Sequence, residues 1–284
     1  MKLQTIVDIK PSEWKIGYED RILMLGSCFS DEIGEQMQQR SLCVTCNPFG
    51  TLYNPLSIVN AINYKSAIIN HKSQVPLIFH EGLYHSMAHH GSFSRAAKED
   101  AEQAVRASIA TMQQALTEAT VVIVTFGTAW VYEMNGEIVG NCHKLPESCF
   151  TRRRLTVEEI VAAWQPIIAE HPDKHWLFTV SPIRHIKDGL HENQLSKATL
   201  LQAVEELTRH LGQEASYFPS YEIVLDELRD YRFFADDLVH PSSLAVNYVW
   251  ERFVDTYCTN QTKNELVLQH KRWKHEHHIS LHRF

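Results

Sequence analysis

No stretch of this 284-residue chain approaches the ~18 consecutive apolar residues of a membrane-spanning helix, so no membrane insertion is expected. Met1-Lys2-Leu3-Gln4-Thr5-Ile6-Val7-Asp8 lacks the apolar stretch of a signal peptide. That predicts a cytoplasmic chain, although a chain from which a leader had been removed would read the same. Positive charge is also short. Against 34 Asp and Glu stand 27 Lys and Arg, a formal charge of −7, which argues against the broad basic surface of a nucleic-acid binder. A small anionic substrate held by local arginines stays compatible with this balance. Internal repeats and low-complexity linkers are missing. Cysteines number six (Cys28, Cys43, Cys46, Cys142, Cys149, Cys258), and without an export signal they read as reduced thiols and not as a disulfide framework. Metal-ligand patterns are weak. His85 and His89 have the i, i+4 spacing of helical zinc ligands, with His90 beside them, but lack a nearby acidic third ligand. Cys43 and Cys46 fall in a strand-like run, where residues three apart face opposite sides. No metal or other cofactor is expected.

What is present is an alternation of strand-like and helical runs. Five strands are predicted: residues 21–26, 42–46, 121–126, 176–180 and 221–225. Val121-Val122-Ile123-Val124-Thr125-Phe126 is apolar on both faces, as a central parallel strand must be. Helices are expected over 31–40, capped by Ser30 or Asp31, and from Asn54-Pro55, a cap followed by proline at the first helical position. Residues 98–118 and 192–211 have amphipathic spacing, the second stopped by Gly212. Thr156 to Glu159 is a capping box opening a helix to about Glu170, with Pro166 as a kink. Together these predict a single α/β/α domain over residues 1–284 with a five-stranded, mostly parallel sheet covered on both faces. Residues 51–119 and 128–155 exceed a plain crossover and are expected to wall a pocket. Residues 262–284 read as a carboxyl-terminal helix and a tail rich in His, Lys and Arg.

Candidate chemistry gathers at the carboxyl ends of the strands, where α/β sheets bind ligands. Ser27 follows the first strand. A serine there is often a helix cap, but Ser30 and Asp31 offer capping oxygens and free Ser27 to act as a nucleophile. Cys28 competes for that role, because thiolates are intrinsically stronger nucleophiles. Adjacent side chains leave the backbone in different directions, so one of the two faces the pocket, and Ser27 is the preferred choice. In Asp237-Leu238-Val239-His240, an aspartate three residues before a histidine can orient the ring as a general base. Oxyanion donors are expected from the backbone N–H groups of Ser27 and Gly50, with Gly127-Thr128 at the same end of the third strand. Asn141 and His143 are further pocket candidates, and Arg184-His185 can bind a carboxylate or phosphate.

Gly26-Ser27-Cys28-Phe29-Ser30 resembles the signature of the GSCFA family, whose last position is usually alanine and is Ser30 here. The likeness takes in Asn47 to Pro55, Phe126 to Tyr132, Asn141 to Lys144, Ser181 to Gly189 and Asp237 to Ser242, and so spans most of the chain. That family in turn resembles the SGNH/GDSL hydrolases. The resemblance implies a flavodoxin-like three-layer fold, Ser27 as nucleophile, Asp237 and His240 as its partners, and Gly50 in the oxyanion hole. It also implies an esterase working through an acyl-enzyme, with a small-molecule or carbohydrate ester as substrate. One departure stands out: Gly127-Thr128-Ala129-Trp130 lacks the asparagine those enzymes carry at this point. That departure keeps a second reading open, a binding protein that has lost efficient hydrolysis. A metal-dependent hydrolase is the third.

Overall fold

The computed structural model describes residues 4–64, 74–211 and 215–277. Gly212, His278 with the rest of the tail, Met1 to Leu3 and residues 65–73 of the first long insertion lie outside the described residues. The chain runs β1 (Arg21–Gly26), α1 (Cys28–Gln38), β2 (Cys43–Cys46), α2 (Pro55–Ile62), β3 (Ile78–His80), β4 (Leu83–His85), α3 (Lys98–Glu118) and β5 (Val121–Phe126). It continues through β6 (Trp130–Met134), β7 (Glu137–Ile138), β8 (Thr151–Arg154), α4 (Val157–Ala169), β9 (His175–Val180) and α5 (Leu190–Leu211). Last come β10 (Ala215–Tyr217), α6 (Ser220–Glu222) with a π-helical turn over Ile223–Leu228, α7 (Ser243–Tyr257) and α8 (Asn260–Glu276).

Five strands form a wholly parallel sheet in the order β10-β9-β5-β1-β2. Counted along the chain this is 2-1-3-4-5, the flavodoxin-like order, whose direction reverses between β1 and β5. Alternation along the strands makes two cores. Leu23, Leu25, Val122, Val124 and Phe178 meet α2, α3, α4 and α5 on one face. Ile22, Met24, Val121, Ile123 and Leu177 meet α1, α7 and the π-helical turn on the other. Three layers result. The first core centres on Trp164, whose ring stands edge-on to Phe126 at 5.4 Å, Phe178 at 5.3 Å and Trp176 at 6.1 Å. Such pairs add about 0.5–1.5 kcal/mol each beyond the apolar area they bury.

The first four expected strands are present, and the fifth is not where the sequence placed it. Residues 221–225 are helical, and the edge strand is β10, three residues long. Ile223 and Val224 favour a strand locally, but the buried positions Ser220, Tyr221, Ile223, Val224, Glu227 and Leu228 recur at helical spacing. Helix 1 also begins earlier than expected, at Cys28. Ser30 lies inside it, buried, its hydroxyl bonded to Thr125 Oγ1 at 2.7 Å, and so caps nothing. The other start signals form as read. Asn54 Oδ1 accepts from Ser57 N at 2.8 Å, both bonds of the Thr156–Glu159 box are made, and α4 runs through Pro166 to Ala169. Of the two long insertions, 51–119 supplies α2 and α3 as covering helices, and 128–155 folds as the antiparallel sheet β7-β6-β8. Among the described residues no helix is long and apolar enough to cross a membrane.

Candidate active site

At the end of β1 the backbone of Gly26 adopts φ +132°, and a Cβ there would lie 2.1 Å from the Thr125 carbonyl oxygen. Glycine thus lets β1 and β5 close up at the point where the chain swings into α1. Ser27 is still tied to the sheet, its N–H donating to Thr125 O at 3.1 Å. Its side chain is 1 % exposed, packs beneath Gly127, makes no cap bond, and has a buried hydroxyl without a hydrogen-bond partner. Cys28, the first helical residue, is half-buried and lines a cavity of about 730 Å³. Burial pushes its thiol pKa up, and the nearby Asp31 carboxylate adds to this. The backbone N–H groups of Cys28 and Phe29, the first donors of the helix, act in the opposite sense.

His240 and Asp237 line the same cavity. The His240 Nδ1 donates to Asp237 Oδ2 at 2.6 Å, which leaves Nε2 as the basic nitrogen. Asp237 Oδ1 accepts from the N–H groups of His240 at 3.0 Å and Val239 at 2.9 Å. These backbone donors, followed by the ring, hold the carboxyl pKa down at about 2. The turn is pinned from outside. The guanidinium of Arg184 donates to the carbonyl of Leu238, which has a left-handed φ of 59°, and packs over the rings of Phe234 at 4.8 Å and Tyr231 at 5.4 Å. Arg184 thus braces the Asp237–His240 turn, and it also lines the cavity. His185 also faces the cavity, edge-on to Tyr53 at 5.7 Å. Burial, then the charges of Lys197 and His240, lower its pKa to about 4, so it is neutral at physiological pH.

The expected oxyanion donors are differently employed. Gly50 N–H donates to Asn47 O at 2.7 Å, and the N–H groups of Gly127 and Thr128 donate to Tyr53 O at 2.8 and 2.9 Å. With Ser27 N–H bonded to Thr125, each backbone donor nominated from sequence already holds a protein carbonyl. Gly50 does not line the cavity; Thr128 does, its hydroxyl shared with Ser196 at 3.1 Å. Asn141 lines the cavity too, with Oδ1 accepting from His143 N at 2.8 Å and its Nδ2 uncommitted among the described residues. His143 turns away. It is buried, bonded through Nε2 to Ser86 O at 2.9 Å and packed on the His85 ring at 4.6 Å. The ring nitrogens of His85 and His89 are bonded to the hydroxyls of Ser94, Ser86 and Ser108 and the carbonyl of His80. All six cysteines are free thiols.

Sequence reasoning missed two groups. Tyr53 lines the cavity, and its phenol, pushed up in pKa first by burial and then by Cys28, has no hydrogen-bond partner among the described residues. Lys197 is fully buried under the site, with Nζ donating to Gly127 O at 2.6 Å and Ser181 O at 2.7 Å at the mouths of β5 and β9. Nothing in an amphipathic helix pattern marks a lysine as inward-facing. Tyr53 stood in view beside Asn54-Pro55, without a motif to single it out.

No curated protein matches this chain. Among solved structures, a Corynascus thermopiles (Myceliophthora fergusii) carbohydrate esterase family 2 enzyme with its carbohydrate-binding domain is similar at 13% identity and a TM-score of 0.40. The match covers 87% of this chain and 66% of that one, so the chain spans just under two thirds of that protein's length. The cluster at the β1–α1 turn, the Tyr53 stretch, the Arg184 brace and the Asp237–His240 turn all fall within residues 21–253, the span that matches the sequence model of the GSCFA family, and this chain belongs to that family.

Proposed function

We propose that this protein is a hydrolase of SGNH type that cleaves ester bonds by acyl transfer. The observation that carries the proposal is the His240–Asp237 pair opening onto the same cavity as the first turn of α1, in the crevice beside the β1–β5 reversal. His240 Nε2 takes the proton of a nucleophile on that turn, Asp237 fixes the ring and balances its charge, and donors around the turn meet the developing oxyanion. The cavity has the size of a small-molecule site, and Tyr53, Trp130 and Tyr132 give it flat faces among polar groups. An O-acylated sugar, with its apolar ring faces and its hydroxyls, fits that wall, and we propose this substrate class. The free thiols favour the cytoplasm as the compartment.

A second reading, a cavity that binds without turnover, is favoured by one observation: the N–H groups of Ser27, Gly50, Gly127 and Thr128 are all spent on protein carbonyls. The two readings part in one experiment. The purified chain is incubated with 4-nitrophenyl acetate and a panel of O-acetylated sugars, beside His240→Ala and Asp237→Asn. The hydrolase reading expects product release by the wild type and a loss of about 10³–10⁵-fold in His240→Ala. No release from any ester, with no acyl adduct in the intact mass, leaves the binding reading standing.

A further inference from the structure

We infer that the nucleophile of this site is the thiol of Cys28 and not the buried hydroxyl of Ser27 beside it. The inference rests on the hydrolase reading above and assigns the attacking atom within it.

Two neighbouring side chains compete, and the start of α1 separates them. Ser27, the residue between β1 and α1, is tied to the sheet by its N–H bond to Thr125 O, and its side chain is buried against Gly127. Cys28 is the first residue with helical geometry and lies on the wall of the cavity that His240 and Asp237 also line. Glu32 stands four residues after Cys28, hence one turn along on the same side of α1, and the His240 ring acts on it, favouring its charged form against burial and Glu35. The imidazole and the Cys28 side chain line one cavity, and Ser27 is not on its wall. Cys28 and Phe29 are the first two residues of α1, so their N–H groups have no intrahelical acceptor and supply donors beside the sulfur, where a carbonyl oxygen would gain charge on attack.

The step balances without a further reactant. His240 Nε2 takes the Sγ proton as sulfur bonds to the ester carbonyl carbon. Collapse of the tetrahedral intermediate breaks the acyl C–O bond, and the alcohol leaves with the proton held by His240. Water, deprotonated by the same ring, then attacks the thioester. The S–C bond breaks, the carboxylic acid departs, and the thiol recovers its proton.

The test uses the full chain with 4-nitrophenyl acetate, quenched in acid and mapped by peptide mass spectrometry, alongside Cys28→Ala and Ser27→Ala. Acetyl on Cys28, released by neutral hydroxylamine as a thioester is, and a turnover at least about 10³-fold lower in Cys28→Ala than in Ser27→Ala, are expected. Acetyl on Ser27, with turnover lost in Ser27→Ala and kept in Cys28→Ala, overturns the thiol assignment and leaves the hydrolase reading intact. No adduct and no turnover overturn both. A readout independent of turnover is the rate at which iodoacetamide alkylates Cys28, followed at the Cys28 peptide at one fixed pH. That rate is expected to fall by about tenfold or more in His240→Ala, because the base no longer draws the proton. An unchanged rate shows that ring and thiol are not coupled and sinks the assignment.

Discussion

Arg184 donates to the main-chain carbonyl of Leu238, inside the turn that carries Asp237 and His240. A base positioned by a half-exposed loop needs such a brace, because small misplacements of reacting groups are costly. Arg184→Ala is therefore expected to lower kcat by about 10–100-fold with little change in folding stability, and Arg184→Lys to recover part of the loss through a single donor. Steady-state kinetics beside urea unfolding check this. Loss of binding alone, with kcat intact, would instead mark Arg184 as a substrate contact.

Tyr53 carries the second expectation. Its phenol faces the cavity, where burial first and Cys28 second push its pKa up, and it has no protein partner among the described residues. With no asparagine in Gly127-Thr128-Ala129-Trp130, this O–H joins Asn141 Nδ2 as an uncommitted side-chain donor on the cavity wall that could meet an oxyanion. Tyr53→Phe is expected to reduce kcat by about 10²-fold with KM nearly unchanged. A change confined to KM assigns the ring to substrate packing.

How much of this was readable beforehand depends on how local each determinant is. Val121 to Phe126 was legible as the central strand because burial on both faces leaves a continuous apolar run. Ala215–Tyr217 was not, since three residues at a sheet edge carry no period, and the β-branched pair Ile223-Val224 nearby drew the strand assignment away. The Asp237–His240 pair was legible because its contacts are three residues apart and made by the turn itself. Which of Ser27 and Cys28 lines the cavity was not, because it turns on the residue at which α1 starts. That point is set by the Ser27 to Thr125 bond across the sheet and by burial of Ser30, neither of which is local in sequence.

Gly50 separates a structural glycine from an oxyanion donor. Its φ is +75°, a Cβ would lie 2.3 Å from the Cβ of His90, and its N–H is held by Asn47. Gly50→Ala should destabilise the fold by about 1–3 kcal/mol while the folded fraction keeps kcat within a few-fold. Denaturant midpoints and kcat corrected for folded protein decide. A loss of about 10²-fold in that corrected kcat would restore Gly50 to the oxyanion hole.

Lys197 gives the stability of the protein a pH dependence of definite sign. Burial is the main cause that lowers its pKa to about 7, the charge of Cys28 acting weakly the other way, against about 10.4 for a lysine in the unfolded chain. Between those values the unfolded chain holds a proton that the folded one has released, so this group makes stability rise with pH from about 7 to about 10. Below about 7 both states are protonated and the contribution is flat at its least favourable. Lys197→Met removes the titration along with the two bonds to Gly127 and Ser181. The difference in unfolding free energy, wild type minus variant, is expected to increase between pH 7 and pH 10. Tyrosine and cysteine titrations common to both proteins cancel in that difference. Urea unfolding at pH 7, 8.5 and 10 measures it, and a difference independent of pH would show that Lys197 keeps its proton throughout, held by the two carbonyls at the mouth of the sheet.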